Sequence, residues 1–333
     1  MKKIVGILSA AAVLATSVFA ADVSAKVKLT GSLFNFDTDG NKISALTLNY
    51  HQSHNWEPDM ALAYADEKSG AEIKFKTLNE WWNGEGETST AWKIWFSPIE
   101  ALKFTIGTWD SNLNQEHIDW SNTESGIGTA GYTLTLAPIA GLTVDLTFAP
   151  DWGNPWFATA DDADAALGEL GLLVHYGADF GTISAMFDAK DTFKTLKFGA
   201  GYANTFAPVS MFVNVLGFVN EANGFEKVRA ELYGEASIDA LKFSLFLPVD
   251  VNVYDGAQDA VEVGALFRFD YYLNGYDIFV YVKDLDLIAS PFSMIIQPGV
   301  EFNVGACHIK CSVEVKAQEK IAIGVPVEFT VNF

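Results

Sequence analysis

Five histidines and two cysteines are the side chains best suited to proton, metal or thiol chemistry in this 333-residue chain, and their spacing favours none of it. His51, His54, His117, His175 and His308 sit in no nucleophile elbow and no metal-binding signature. His51 and His54, with Glu57 nearby, have the wrong spacing for two ligands on one helix. Cys307, His308 and Cys311 crowd together without the spacing of a zinc site. In an extended strand the two cysteines would lie about 13 Å apart at roughly 3.3 Å per residue. A disulfide needs Cα atoms within about 7 Å, so only a turn over 305–311 would allow the bond. Asp37-x-Asp39-Gly40 has part of the form of a calcium loop, but Asp-Gly-Asn is first of all a hairpin turn. No catalytic site, metal or cofactor is expected.

A second kind of chemistry needs only charge at regular intervals. Lys227, Arg229, Glu231 and Glu235 alternate with Val228, Ala230 and Leu232. His308, Lys310, Ser312, Glu314 and Lys316 alternate with Ile309, Cys311, Val313 and Val315. Period two puts each set on its own face of a strand. If the charged faces enclose water, the positions lining it include Lys74, Lys76, Lys103, Lys197, Lys227, Arg229, Lys242, Arg268 and Lys310. Against them stand Glu72, Asp145, Glu231, Glu235, Glu262, Asp270 and Glu314, so the strand walls are close to balanced. The acidic excess then falls to connections, where Glu85, Glu87, Asp110, Glu116, Asp119, Glu124, Asp161, Asp162 and Asp164 are found. Asp161, Asp162 and Asp164 would give a mouth a negative potential that concentrates cations; they would equally serve as soluble surface or as bridged contacts to lipopolysaccharide.

All nine tryptophans fall between Trp56 and Trp156. Trp92 and Trp95 are on a strand; Trp56, Trp81, Trp82, Trp109, Trp120, Trp152 and Trp156 are in or beside long connections. An interfacial belt explains such rings, although belt residues should be spread evenly around a barrel. Crowding suits inward-facing rings that stack on sugars, with Trp81, Trp82, Trp109, Trp120, Trp152 and Trp156 as candidates.

The elements that must carry these residues are about nineteen strand-like segments of roughly eight to twelve residues. Ala71–Thr77, Trp92–Phe96, Leu102–Thr108, Tyr132–Leu136, Leu142–Phe148, Lys227–Glu235, Ala260–Tyr271 and His308–Ala317 are the cleanest. Short connections such as 67–70, 97–101, 137–141, 177–181, 237–240 and 274–275 alternate with long ones at 51–59, 79–89, 110–128 and 151–166. Pro98–Phe104 (PIEALKF) and Ser237–Phe243 (SIDALKF) read as one hairpin design used twice.

Lys2 and Lys3 precede an apolar run that ends at Val18-Phe19-Ala20, so residues 1–20 read as a cleaved signal peptide and 21–333 as the mature domain. Without Lys2 and Lys3 the chain keeps 19 Lys+Arg against 42 Asp+Glu, a net charge of −23. That acidity excludes nucleic acid as a partner. Half of all residues are apolar, yet no later run reaches the 18 or so residues a membrane helix needs. Alternating strands hide hydrophobicity in this way.

The last strand, Ile321–Phe333 (IAIGVPVEFTVNF), has Phe329, Val331 and Phe333 on one apolar face and stops on an aromatic residue. It resembles the terminal strand of bacterial outer-membrane β-barrels, the porins among them. The resemblance implies an all-β transmembrane antiparallel barrel, with short periplasmic turns and longer extracellular loops. It further implies that barrel-assembly machinery reads Phe329, Val331 and Phe333, and that lipid surrounds the apolar wall. A bacterial single-chain barrel needs an even number of strands. Eighteen is expected, with sixteen as the alternative and either Val23–Phe36 or Phe292–Val304 the miscounted segment. The expected function is passive diffusion of small hydrophilic solutes and ions. A saccharide-preferring channel, or an adhesin or structural barrel with a blocked lumen, are the alternatives. A homotrimer is compatible with such a wall, because subunit contacts on it are as apolar as lipid contacts.

Overall fold

The computed structural model describes residues 22–37, 42–50, 60–75, 90–114, 124–149, 169–190, 193–254, 260–284, 287–288, 293–318 and 321–332. Among them every regular element is a strand, as the alternation of branched and aromatic with polar residues dictates. The first third holds β1 (Asp22–Asp37), β2 (Lys42–Tyr50), β3 (Met60–Ala65), β4 (Ser69–Phe75), β5 (Thr90–Ile99), β6 (Leu102–Asn112), β7 (Gly126–Ile139) and β8 (Leu142–Ala149). Next come β9 (Glu169–Ala178), β10 (Gly181–Lys190), β11 (Thr195–Phe206), β12 (Val209–Asn220), β13 (Gly224–Ile238) and β14 (Leu241–Asn252). The remainder is β15 (Val261–Val263), β16 (Ala265–Leu273), β17 (Tyr276–Asp284), β18 (Met294–Val304), β19 (Cys307–Ser312), β20 (Glu314–Ala317) and β21 (Ile321–Asn332).

All the pairings are antiparallel, and β21 closes on β1 from Lys26–Asn332 to Asp37–Ala322, with a register shift between Ser32 and Asn35. Three places in this ring are shared by two segments. β15 and β16 both pair with β14, broken at Gly264. β19 and β20 both lie between β18 and β21, broken at Val313 opposite Pro298, which has no amide to give. β2 and β3 follow one another along β1, Tyr50 opposite Leu29 and Met60 opposite Ala25. The twenty-one segments therefore fill eighteen places, the even number expected.

The odd count of nineteen has a different source from the two suspected. Val23–Phe36 and Phe292–Val304 supply genuine strands, β1 and β18. Lys42–Tyr50 and Met60–Ala65, counted as two strands, run the same way along one neighbour, β1, and so share one place.

Short turns at 66–68, 100–101, 140–141, 179–180, 207–208, 239–240, 274–275 and 305–306 gather on one rim. They are tied to one another: the amides of Ala137, Gly177 and Tyr272 donate to the carbonyls of Ala101, Gly141 and Ala240 at 2.9, 2.8 and 2.9 Å. Asn274 and Gly275 both take positive φ, 50° and 86°, which makes theirs a two-residue turn of the hairpin type. In the 66–68 turn the Asp66 carboxylate accepts from the amides of Lys68 and Ser69 at 2.8 and 2.7 Å, which holds its pKa below the ordinary value. That turn keeps those bonds at neutral pH and loses them as pH falls through the lowered pKa.

The repeated heptad is not one turn used twice. At Pro98 the β5–β6 register shifts between Phe96 and Ile99, whereas at Ser237 the β13–β14 ladder runs unbroken to Ile238–Leu241. Proline cannot donate to a ladder; serine can.

Burial settles which face looks inward. Ile183, Phe198, Val215, Leu232, Phe267 and Ile278 are exposed, while Ser184, Asn214, Arg229, Glu231 and Asp270 are buried. A soluble sandwich would show the reverse. The apolar wall faces out and the charged wall faces in, the arrangement of a membrane barrel. Cys307 and Cys311 are free thiols on β19, as an extended strand requires.

Leu232 lies on the outer wall between Val213 and Leu247. Leu232→Lys is therefore expected to lower stability by about 2–4 kcal/mol if it sits near the bilayer midplane, and Lys242→Gln, on the inner face, by far less. Urea unfolding of each variant refolded into lipid vesicles checks this; equal costs would mean the faces are assigned wrongly.

Candidate functional site

The interior is not the open polar tube that alternation suggests. Just past β6 and just before β7, residues 113–114 and 124–125 lie inside the barrel and meet: the Leu113 amide donates to Ser125 O at 3.1 Å and the Ser125 hydroxyl to Asn114 O at 3.1 Å. Leu113 and Ile127 then pack against Leu173, Met186 and Leu216 from the inner faces of β9, β10 and β12. Glycines make the room. A Cβ on Gly171 would touch Ile127 at 3.0 Å, and one on Gly201 would meet Asn214 and Asn114 side chains at 2.4 and 2.6 Å. These wall positions are seats for the inward segment.

Polar contacts fix the same segment to β11–β14. Asn114 Nδ2 donates to Asn214 Oδ1 at 2.8 Å, and Lys197 Nζ donates to Gly126 O. The Glu124 amide donates to Glu231 Oε1 at 2.8 Å, and Asn214 Nδ2 donates to Glu231 Oε2 at 3.1 Å. Lys227 Nζ reaches Glu124 at 2.9 Å. Arg229 is the hub: its Nε meets Glu231 at 3.0 Å, and its Nη1 meets Asp250 at 2.9 Å and Glu124 at 3.2 Å. Arg229 is 2% exposed and Glu231 0%. Charges so deeply placed persist only when paired and hydrogen-bonded on most sides.

Below this strap, toward the short-turn rim, lies a cavity of about 510 Å³ roofed by Asn114 and walled by Thr182, Ser210, Phe212, Tyr233 and Glu235. Beside it an apolar row crosses the inner wall: Phe212, Tyr233, Phe246 and Leu266 are direct partners on β12, β13, β14 and β16. Phe279 and Tyr281 of β17 join that cluster.

Further ion pairs line the rest of the inner face. Asp188 lies 3.6 and 3.7 Å from Lys190 and Lys197. Lys242 pairs with Glu235 at 3.0 Å. Arg268 holds Asp270 at 2.7 Å and approaches Asp277 and Glu301, and Lys310 pairs with Glu301 at 3.1 Å. Glu314 pairs with Lys316 at 3.1 Å, and Thr135 donates to Asp145. On β5, Lys93 pairs with Glu72 at 2.8 Å. The ammonium groups of Lys93 and Lys103 lie 5.9 and 5.7 Å from the centre of the Trp95 ring.

Of the expected lining residues, Asp145, Lys197, Arg229, Glu231, Lys242, Arg268, Lys310, Glu314 and Lys103 thus lie on the inner face. Arg229 and Glu231 are locked in the strap. Lys74 is in β4, with its side chain outside the described residues, as is all of Lys76. Trp92 faces outward and Trp95 inward. Trp109 is in β6 opposite Thr129, with its side chain outside the described residues. Trp56, Trp81, Trp82, Trp120, Trp152, Trp156, Glu85, Glu87, Glu116, Asp119, Asp161, Asp162, Asp164 and Phe333 fall outside them altogether. Two of the acids assigned to connections sit elsewhere: Asp110 is in β6 opposite Gly128, and Glu124 is inside the barrel because three charged neighbours hold it there. Phe329 and Val331 lie in the closing strand, opposite Leu29 and Val27.

No family model matches the chain, and no curated protein sequence does. Solved structures do. OccK2 (OpdF) of Pseudomonas aeruginosa aligns over 94% of this chain and 97% of its own at 11% identity, with a TM-score of 0.55. OpdQ of the same organism aligns over 94% and 98% at 9% identity and 0.56, and a BenF-like porin of Pseudomonas fluorescens over 94% and 99% at 11% and 0.53. OmpT of Vibrio cholerae, an outer-membrane protein in its trimer form, aligns over 94% and 99% at 9% and 0.52. The chain has the antiparallel β-barrel fold of these porins.

Removing the hub should be costly. Arg229→Ala would leave Glu231 buried without its cation, at about 3–5 kcal/mol, and would release Glu124. Urea unfolding of the refolded protein reads the loss; a variant as stable as the parent would mean that the strap carries no weight.

Proposed function

We propose that the chain is an outer-membrane channel through which small hydrophilic solutes and ions diffuse passively, with a weak preference for cations. One observation carries the reading: an apolar outer wall encloses an inner wall of paired charges in a closed ring of porin fold. An ion inside such a barrel meets alternating signs rather than a filter of one sign. Discrimination then rests on loop charge at the mouth, and Asp161, Asp162 and Asp164 are the residues assigned to it. Residues 1–20 serve as the export signal, and Phe329, Val331 and Phe333 as the signal read by the assembly machinery.

Screening sets how strong the preference is. The Debye length is about 10 Å at 0.1 M salt and about 3 Å at 1 M, so mouth acids act mainly in dilute salt. Planar-bilayer recordings should give reversal potentials on the cation side that shrink as salt is raised. Replacing Asp161, Asp162 and Asp164 together by Asn should move them toward zero in dilute salt and leave conductance in concentrated salt unchanged. Anion selectivity of the parent protein would overturn the electrostatic reading, and a barrel that inserts without conducting would overturn the channel.

A further inference from the structure

Ion pairs line much of the inner face, yet the cavity beneath Asn114 is lined mostly by hydroxyls, amides and small apolar groups. Glu235 is the one charged side chain among its lining residues, and its charge is already answered. Lys242 Nζ lies 3.0 Å from Glu235 Oε2, and the Tyr233 hydroxyl donates to the same oxygen at 2.6 Å. The hydroxyls come from three neighbouring strands: Thr182 on β10, Thr205 on β11 and Ser210 on β12. Thr205 and Ser210 are direct partners across the ladder, and their oxygens lie 3.0 Å apart. One of the two donates in that bond, so the other keeps its proton for a guest. Thr182 makes no hydrogen bond among the described residues. Thr182 and Ser210 are half-buried and Thr205 is exposed, so all three are within reach of a molecule in the cavity. Ala178, Ala203 and Phe212 complete the lining with apolar surface.

We infer that this cavity binds a small, neutral, polyhydroxylated solute, a mono- or disaccharide. A sugar ring presents carbon-bound hydrogens on its faces and hydroxyls around its edge, which matches an apolar patch bordered by hydroxyls. A volume of about 510 Å³ lies within the range that encloses a small ligand. Charged guests fit less well. An anion would meet the Glu235 carboxylate, and a cation would find that carboxylate held by Lys242 and lose hydration without gaining a partner. No tryptophan lines the cavity, so the site is separate from the aromatic candidates of the long connections. The inference goes beyond the channel reading and does not depend on the barrel conducting.

Glucose, glucuronate and glucosamine, the last below neutral pH, share one ring and differ in charge. Their binding to the barrel refolded in detergent micelles is read by saturation-transfer NMR, against empty micelles as the blank. Glucose should bind saturably, and each charged relative at least tenfold more weakly. Thr182→Val and Ser210→Ala should each weaken glucose binding about three- to tenfold, the loss of one hydrogen bond. Ser244→Ala, on the same wall but outside the cavity lining, should leave it unchanged. A variant whose gel migration is not heat-modifiable is replaced by Ala203→Leu, which fills the cavity and should abolish binding. Absence of saturable glucose binding would overturn the inference, as would binding that none of the cavity variants alters. Glucuronate or glucosamine held as tightly as glucose would overturn it too. The readout needs no current, so a barrel that binds glucose without conducting would refute the channel and uphold the site.

Discussion

Inside a hydrocarbon layer a backbone amide has no water to turn to, so each rung of the sheet must be filled from within the sheet. Pairing of β21 with β1 is what makes that true of the whole ring. An open sheet would present two edges to lipid; the closed one presents none. Closure of antiparallel strands demands an even number of places, and three shared places reconcile twenty-one segments with that demand. Closure also fixes which side chains are enclosed. With register set around the ring, a shift of one residue in any strand would turn its charged row outward.

Enclosure creates a second problem, because eighteen strands bound more space than their own side chains fill. Residues 113–114 and 124–127, at the ends of β6 and β7, take up part of it. Apolar packing seats them, through Leu113 and Ile127, and charge pairing orients them, through Glu124 and Arg229. The two effects differ in kind. Burial of the leucine and isoleucine side chains supplies the stabilisation, on the order of 1.5–3 kcal/mol for each. The ion pairs offset their own desolvation and contribute geometry more than net energy. The inner wall that results is well paired, cation against carboxylate.

Much of the wall was legible in the sequence. Lys227–Glu235 alternates as expected, and so does the closing strand, because period two is a local property of the chain. The strand count was less legible. Lys42–Tyr50 and Met60–Ala65 read as two strands, and only pairing with β1, a long-range fact, shows that they share a place. The inner apolar rows were missed because the enclosed face was taken to be polar throughout. A signal was present in Val209–Asn220 (VSMFVNVLGFVN), where Phe212, Leu216 and Phe218 are apolar on one face and Val213 and Val215 on the other. A strand apolar on both faces meets apolar surroundings on both, here lipid outside and packed side chains inside. Glu124 could not be placed from sequence, since its partners lie about a hundred residues away on β13. The loop acids and most of the tryptophans lie outside the described residues, so their roles rest on sequence and charge alone.

The central claim is the inside-out wall, and two neighbouring tryptophans report on it directly. Trp92 and Trp95 are both on β5, one facing outward and one inward. In variants with every other tryptophan replaced by phenylalanine, only the ring at 92 or the ring at 95 would fluoresce. With each refolded into vesicles, brominated lipid should quench Trp92 and spare Trp95, and aqueous iodide should quench Trp95 and spare Trp92. Quenching of Trp95 by lipid and of Trp92 by iodide would contradict the account.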